Sequence, residues 1–472
     1  MMRPQIEIVL EQVAKKIVPG QEERKRMALL AERLKRQVQV ILESSGFRGS
    51  VTVQGSYARD TWLSGEADLD IFTSFPPSMD RGEWIDNILP AIKRGLKAKA
   101  VDRYAEHPFL EFHPDGIRVN IVPCYSVEKG QWKSATDRTP FHTEYMQKHL
   151  TPEMRLEARL LKRFLKGVRS YGAEIRVGGF SGMLVETLIL HFRSFLETLE
   201  HVSSWKPIIF LDRENPVGQG SRPHEFGSPL VVIDPVDPNR NLAAAVRPDK
   251  SWSFVAASRE LQENPGLWYF FPPKLKPATR GQLNKIIESA NRDIVAVTIH
   301  HARIVPDVLW GQLLKLEKGL TELLTRQDFQ PVRSVAWSDE RGSSAILVEL
   351  ERATLASTHF RQGPPISKKE DSQGFLDRHL NSKDTARGPW VENDRWVVDK
   401  KREVLDIARL VSVALKDPKF GFSVPDQFRK GSSRDIGVLV NRNILALIGR
   451  EGFDQVLSEF LAAKPAWLTP HR

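Results

Sequence analysis

The sequence predicts an α+β multidomain chain, and three observations carry that expectation. Its 472 residues, 41% hydrophobic and 27% charged, exceed what one core ordinarily organises. The first 125 residues alternate between helical three- and four-residue apolar spacings and short β-branched runs. From Thr151 the texture changes to longer apolar helices, and the chain is mixed again beyond about residue 290.

Two helices open the chain: Ile6, Val9, Leu10, Val13 and Ile17 share one face, and after Pro19-Gly20 so do Met27, Leu30, Leu34, Val38 and Ile41. Ser50–Gln54 reads as a strand running into a Gly55-Ser56 turn, followed by a short helical stretch around Tyr57–Leu63. Asp68–Phe72 reads as a strand, and 83–97 as a helix. Phe109–His113 and Ile117–Val122 flank Pro114-Asp115-Gly116, the pattern of a hairpin. Thr151 is placed to cap a helix with Pro152 at its first position, and a second apolar helix spans about 181–199. Prolines make 206–250 irregular, and Pro265–Pro277 reads as a linker. Strands are expected at 294–300 and 345–350, helices at 308–325 and 404–416, and an exposed loop across the polar stretch 361–389.

Sixty-nine Lys and Arg against 59 Asp and Glu leave a formal charge of +10, which favours a polyanionic partner such as nucleic acid. No run of about 18 apolar residues is present to span a bilayer, so no membrane role is expected. A single cysteine, Cys124, excludes an internal disulfide framework and CxxC zinc sites, and the N-terminus is a poor signal peptide. A soluble, cytoplasmic protein is expected.

Chemistry concentrates at Asp68-Leu69-Asp70, where two carboxylates two apart on a strand project from the same face and attract a divalent cation. Alone, the pair reads more readily as the solvated end of a strand. Ahead of it, Gly55 lets the backbone approach a phosphate, and Ser56 with its neighbouring amides donates to one. Phosphate ligands about a dozen residues from metal ligands are what metal-assisted nucleotidyl transfer needs. The combination GSxxRxTxLxGxxDxDxF from Gly55 to Phe72 is specific.

In that motif the chain resembles the polymerase-β-like nucleotidyltransferases, and more narrowly the archaeal-type (class I) CCA-adding enzymes. Further segments follow in family order: Val119–Tyr125, Asp137–His142, Leu160–Lys162, Tyr171–Glu174, Gly179–Gly182, Asp234–Asp237 with Arg240-Asn241, and Gly388–Trp390. The resemblance implies a palm-like nucleotidyltransferase domain at 1–138, a central nucleotide-binding domain at 139–260 and tRNA-binding body and tail domains at 261–472. It also implies template-independent addition of CMP and AMP from CTP and ATP to the 3′ end of tRNA. Asp68 and Asp70 are similar to the pair that holds two Mg²⁺. Gly55, Ser56, Arg59, Arg138, His142, Lys162 and Tyr171 match triphosphate contacts, and Glu106 with Arg240 resembles the pair that reads the incoming base. Lys162 and Tyr171 straddle the end of one helix and need not share a face. The assembly is open, a homodimer included.

The family places a third carboxylate where this chain has Asn120. Strand alternation puts Arg118, Asn120 and Val122 on one face, so Asn120 points where that acid would, as a metal ligand without charge or proton-accepting capacity. Glu111 and Asp115 are nearby acids, but neither occupies the matching position. Two alternatives follow: another terminal transferase on the same palm, poly(A) polymerase-like, or a catalytically weakened tRNA-binding homologue. His300-His301 on a strand point apart and read as structural, and Cys124 reads as a small packed residue. Lys400-Lys401-Arg402 with Trp390 and Trp396 fits an RNA surface or an ordinary solvated face equally.

Overall fold

A computed structural model describes residues 2–97, 101–104, 108–214, 226–429 and 436–471. They form two compact units, one of residues 1–274 with 464–472 and one of residues 275–463. Glu106 lies outside the described residues.

The first unit begins with α1 (Met2–Ile17) and α2 (Gln21–Ser44), separated by the Pro19-Gly20 break. Met27, Leu30, Ala31, Leu34, Val38 and Leu42 are the buried stripe of α2, the three- and four-residue spacing expected of one helix face. There follow β1 (Ser50–Gln54), α3 (Gly55–Ala58), β2 (Asp68–Phe75), α4 (Arg81–Glu83), a π turn at Trp84–Ile88 and α5 (Leu89–Leu96). Strands β3 (Val101–Tyr104), β4 (Pro108–Phe112) and β5 (Arg118–Tyr125) complete a five-stranded sheet in the order β1-β2-β5-β4-β3. Strands β2 and β5 are parallel, while β4 and β5 form the expected antiparallel hairpin around Pro114-Asp115-Gly116. One face of the sheet is apolar: Leu69, Ile71, Val119, Ile121 and Leu110 pack with Trp84, Ile88 and the α2 stripe. The opposite face of β2, β5 and β4 carries Asp68, Asp70, Arg118, Asn120 and Glu111 together with Phe72, Val122 and Phe109.

The rest of this unit is helical: α6 (Arg138–His149), α7 (Pro152–Gly167), α8 (Gly182–Phe192), α9 (Phe195–Ser203) and α10 (Pro248–Glu263), with a two-stranded pair β6 (Ile209–Leu211) and β7 (Leu230–Val232). Thr151 caps α7, its Oγ1 accepting the Met154 N–H at 3.3 Å. Phe164 is fully buried among Phe195, Phe254, Tyr269 and Phe270. Part of the expected linker at 265–277 is therefore core. Leu267–Tyr269 forms a 3₁₀ turn that brings Tyr269 and Phe270 into the interior, because aromatic burial outweighs the breaking tendency of the surrounding prolines.

The second unit carries α11 (Arg280–Ser289), β8 (Asp293–His300), α12 (Pro306–Arg326), β9 (Pro331–Ser338), β10 (Ser343–Leu350), β11 (Thr358–Pro365), α13 (Lys369–His379), β12 (Thr385–Glu392) and β13 (Arg395–Lys401). It continues through α14 (Ile407–Ala414), α15 (Asp426–Arg429), β14 (Ile436–Val440) and α16 (Phe453–Ala462). A four-stranded sheet, β14-β8-β10-β9, separates two apolar clusters, one under α12 and one under α11 and α16. The expected loop at 361–389 is instead regular: β11, β12 and β13 form a three-stranded sheet with α13 packed on it. Most residues of β11 and β12 stay partly exposed, so backbone pairing fixes these strands without the apolar alternation that marks a buried one. His301, one residue beyond β8 and so not paired with His300 on a strand, bonds Ser344 Oγ at 2.8 Å, and Cys124 is fully buried against Ser74.

Phe164→Ala should destabilise the first unit by about 3–5 kcal/mol through the cavity it leaves, read as a lowered urea midpoint.

Candidate active site

The polar face of the five-stranded sheet is where the sequence-derived site residues meet. Gly55 leaves β1 with φ +75°, and a Cβ there would stand 2.1 Å from Asp70 Oδ2. Only glycine satisfies both the left-handed backbone and the approach of the turn to that carboxylate. Ser56 occupies the first turn of α3, directly after it. In-register pairing lays Gln54, Asp70, Asn120 and Glu111 side by side across four strands. Asp68 is paired with Arg118 one step along the same face.

Asn120 is 8% exposed and donates from Nδ2 to Asp70 Oδ1 at 2.9 Å, while its Oδ1 is buried with no hydrogen-bond partner. Arg118 Nη1 lies 3.6 Å from Asp68 Oδ2, and its Nε lies 3.3 Å from Glu111 Oε2. Burial pushes the Asp68 carboxyl above its usual range; Arg118 opposes this and the negative charge of Asp70 adds to it. Burial also raises Asp70, against the Asn120 hydrogen bond and the Arg59 guanidinium. Carboxylates desolvated in this way gain most from a cation. Among the described residues no three Asp, Glu, His or Cys side chains are gathered closely enough to form a metal cluster. The donors at hand are two carboxylates and one unpartnered amide oxygen, a hard all-oxygen set that fits a divalent cation.

Arg59 is held by a buried ion pair to Glu186 at 2.6 Å, and Thr61 Oγ1 donates to the other oxygen of the same carboxylate at 2.5 Å. Lys162 Nζ donates to the Thr61 carbonyl at 2.8 Å and lies 5.9 Å from the centre of the Tyr171 ring. The two residues therefore meet across the helix end that separates them in sequence. Burial lowers the Lys162 ammonium to about 8; Glu186 opposes, and Arg59, Lys166 and Arg159 add to it. Burial likewise raises the Tyr171 phenol far above its ordinary value.

A second network faces the first. His142 Nε2 sits 2.8 Å from Asp234 Oδ2, and Arg240 Nη1 donates to that oxygen at 3.0 Å, while Arg138 Nε pairs with Asp237 at 2.7 Å. Burial would raise the Asp234 carboxyl, but the His142 hydrogen bond and charge, the Val236 amide and Arg240 hold it below the usual range. Between the networks lies a cavity of about 490 Å³ lined by Gly55, Arg59, Asp70, Asn120, His142 and Arg240 among others. Ser56, Asp68, Arg138, Lys162 and Tyr171 are not among its lining residues; Lys162 is bonded to the Thr61 carbonyl and Arg138 to Asp237. Four acids that sequence reading gave no role anchor these groups: Glu186, Asp234, Asp237 and Glu111. A lone acid inside the apolar run of α8 was the available signal for Glu186, since a buried charge must be paired.

Two carboxylates, a glycine turn and converging cations around one cavity define a nucleotidyltransferase. Residues 31–142 match the family described as nucleotidyltransferase domain, 156–271 the second domain of tRNA nucleotidyltransferase, and 291–433 the C-terminal domain of CCA-adding enzyme. The chain is 32% identical to a CCA-adding enzyme of Haloarcula marismortui over 98% of its own length and all of that protein. It is 35% identical to one of Methanosarcina barkeri, covering 89% of this chain and 91% of the relative, and 34% identical to one of Pyrobaculum aerophilum, covering 87% and 94%. The chain belongs to the CCA-adding enzyme family.

Because the folded chain holds Lys162 at about 8 against 10.5 when exposed, it binds fewer protons than the unfolded chain between those values. The buried charge therefore costs stability at low pH, and that cost is relieved as pH rises through about 8. By urea unfolding, wild type should gain stability relative to Lys162→Met as pH rises from about 8 toward 10.5; a constant difference would contradict the burial assignment.

Proposed function

We propose that this enzyme adds CMP and AMP from CTP and ATP to the 3′ end of tRNA, using Mg²⁺ held by Asp68, Asp70 and the amide oxygen of Asn120. The observation that carries the reading is the placement of both aspartates on one face of β2, with Asp70 lining the cavity and Gly55 pressed against it. A bound divalent cation supplies charge neutralisation at the triphosphate and acidifies the attacking 3′-hydroxyl. The protein supplies position. Arg59, fixed by Glu186, the Gly55-Ser56 turn, Lys162 and Tyr171 receive the triphosphate from one side; Arg138 and His142 receive it from the other. Arg240 keeps roughly half its side chain exposed while anchored on Asp234, which leaves guanidinium donors for the edge of a cytosine or adenine. Glu106 is read as its partner in base selection.

Residues 1–138 serve as the palm, 139–260 as the nucleotide-binding domain, and 261–472 hold the tRNA, in keeping with the basic surplus of the chain. Among the described residues no helix is long and apolar enough to cross a membrane. A cytoplasmic setting suits a protein whose one thiol is free.

The test is label transfer from CTP and ATP to tRNA lacking its 3′ end. Asp68→Ala and Asp70→Ala should each abolish transfer while tRNA binding by filter retention stays near wild type; transfer retained in both removes the metal assignment. Arg240→Ala should change the ratio of CTP to ATP use more than it changes triphosphate affinity. Equal loss for both nucleotides at unchanged selectivity would make Arg240 a structural residue.

A further inference from the structure

The cation site is short of charge. Asp68 and Asp70 provide two negative charges, but the guanidinium of Arg118 stands 3.6 Å from Asp68 and offsets one of them. Asn120 adds none, and its Nδ2 is already committed to Asp70. Its Oδ1 is an acceptor on a side chain more than nine-tenths buried, lining the cavity without a partner, which marks the place as built for a ligand. Glu111 is the nearest answer in the sheet. It is paired in register with Asn120 on the adjacent strand, so both side chains project from the same face. Glu111 is itself 8% exposed, and its Oε2 lies 3.3 Å from Arg118 Nε. One guanidinium thus bridges Glu111 and Asp68, and 44% of the Arg118 side chain is open to solvent.

We propose that Glu111 supplies the third negative charge of the divalent-cation site, doing from β4 what Asn120 on β5 cannot do. With Glu111 counted, three carboxylates face Arg118, while Arg59 and Lys166, which also act on Asp70 and Asp68, are matched by Glu186 and Glu66; two net negative charges remain for one divalent ion. A buried carboxylate beside a partly exposed guanidinium gains when the stronger cation arrives and Arg118 swings toward water, since opposite charges attract most strongly where water is thin. Glu111 acts on the site by its charge and by holding Arg118; contact with the nucleotide is not required of it. This inference rests on the reading of Asp68 and Asp70 as cation ligands.

The test measures Mn²⁺ binding to the full chain by the electron paramagnetic resonance signal of the free ion, with no nucleotide or RNA added. Glu111→Gln should weaken Mn²⁺ binding by about tenfold, the scale of one lost charge in a partly solvated site. Asn120→Asp placed in the Glu111→Gln background should restore most of that loss, because it returns a carboxylate to the same face. A purely structural role for Glu111 predicts no such rescue. Asn120→Asp alone should change binding by less than about threefold, since the charge is already present. The proposal is overturned if Glu111→Gln binds Mn²⁺ as wild type does, or if Asn120→Asp improves binding by the same factor in both backgrounds. Should Glu111→Gln not fold, Asn120→Asp alone decides: a tenfold gain contradicts the proposal and a small change supports it. Asp70→Asn separates this inference from the reading beneath it. Wild-type Mn²⁺ affinity in Asp70→Asn would remove the cation site itself, whereas its loss there, with Glu111→Gln unaffected, would remove only the part assigned to Glu111.

Discussion

Two acids on one face of one strand are taken out of water together, and the groups around them are placed to offset that burial. Asp68 and Asp70 share a face because strand side chains alternate, and both are desolvated because the chain packs turns and strands on either side of β2. Each therefore stands above its ordinary pKa, and each is met by compensating groups from another element. Asn120 donates to Asp70, Arg118 lies beside Asp68, and Arg59 contributes its field from the turn. Such a site is costly to fold and ready to take up a cation, two consequences of the same burial.

The cations that approach the site are themselves kept in place by acids one layer further out. Glu186 holds Arg59 and Thr61, Asp234 holds His142 and Arg240, and Asp237 holds Arg138. Glu186 and Arg59 are both buried, so breaking that pair strands a charge and costs about 3–5 kcal/mol; Asp234 and Asp237 are buried too, but their arginines reach solvent. The arrangement fixes donor positions before substrate arrives, which is where a phosphoryl-transfer enzyme with little covalent chemistry of its own gains rate.

Much of this was legible in the sequence. The Asp68-Asp70 spacing, the glycine turn and the Pro114-Asp115-Gly116 hairpin depend on neighbours in the chain, and each appears where local pattern put it. Alternation put Asn120 with Arg118 and Val122 on one face of its strand, and the family resemblance turned that face toward the two aspartates. What was hidden depends on partners distant in sequence. The register of β4 against β5 brings Glu111 beside Asn120, and no local signal states a register. The meeting of Lys162 with Tyr171 needs the turn after α7 to fold back, and the strands at 358–392 are fixed by pairing with β13 more than by a buried face. Tyr269 and Phe270 sat inside a proline-rich stretch whose composition signalled a linker, while tertiary packing claimed them for the core.

The account stands or falls on what the cavity builds. The most direct measurement is to sequence the product formed when tRNA ending at the nucleotide before its CCA is incubated with the wild-type chain, divalent cation and both CTP and ATP. The account predicts growth by C, C and A in that order and then arrest, with a non-tRNA oligonucleotide left unextended. A homopolymer tail, indifference to the RNA supplied, or no extension at all would contradict it.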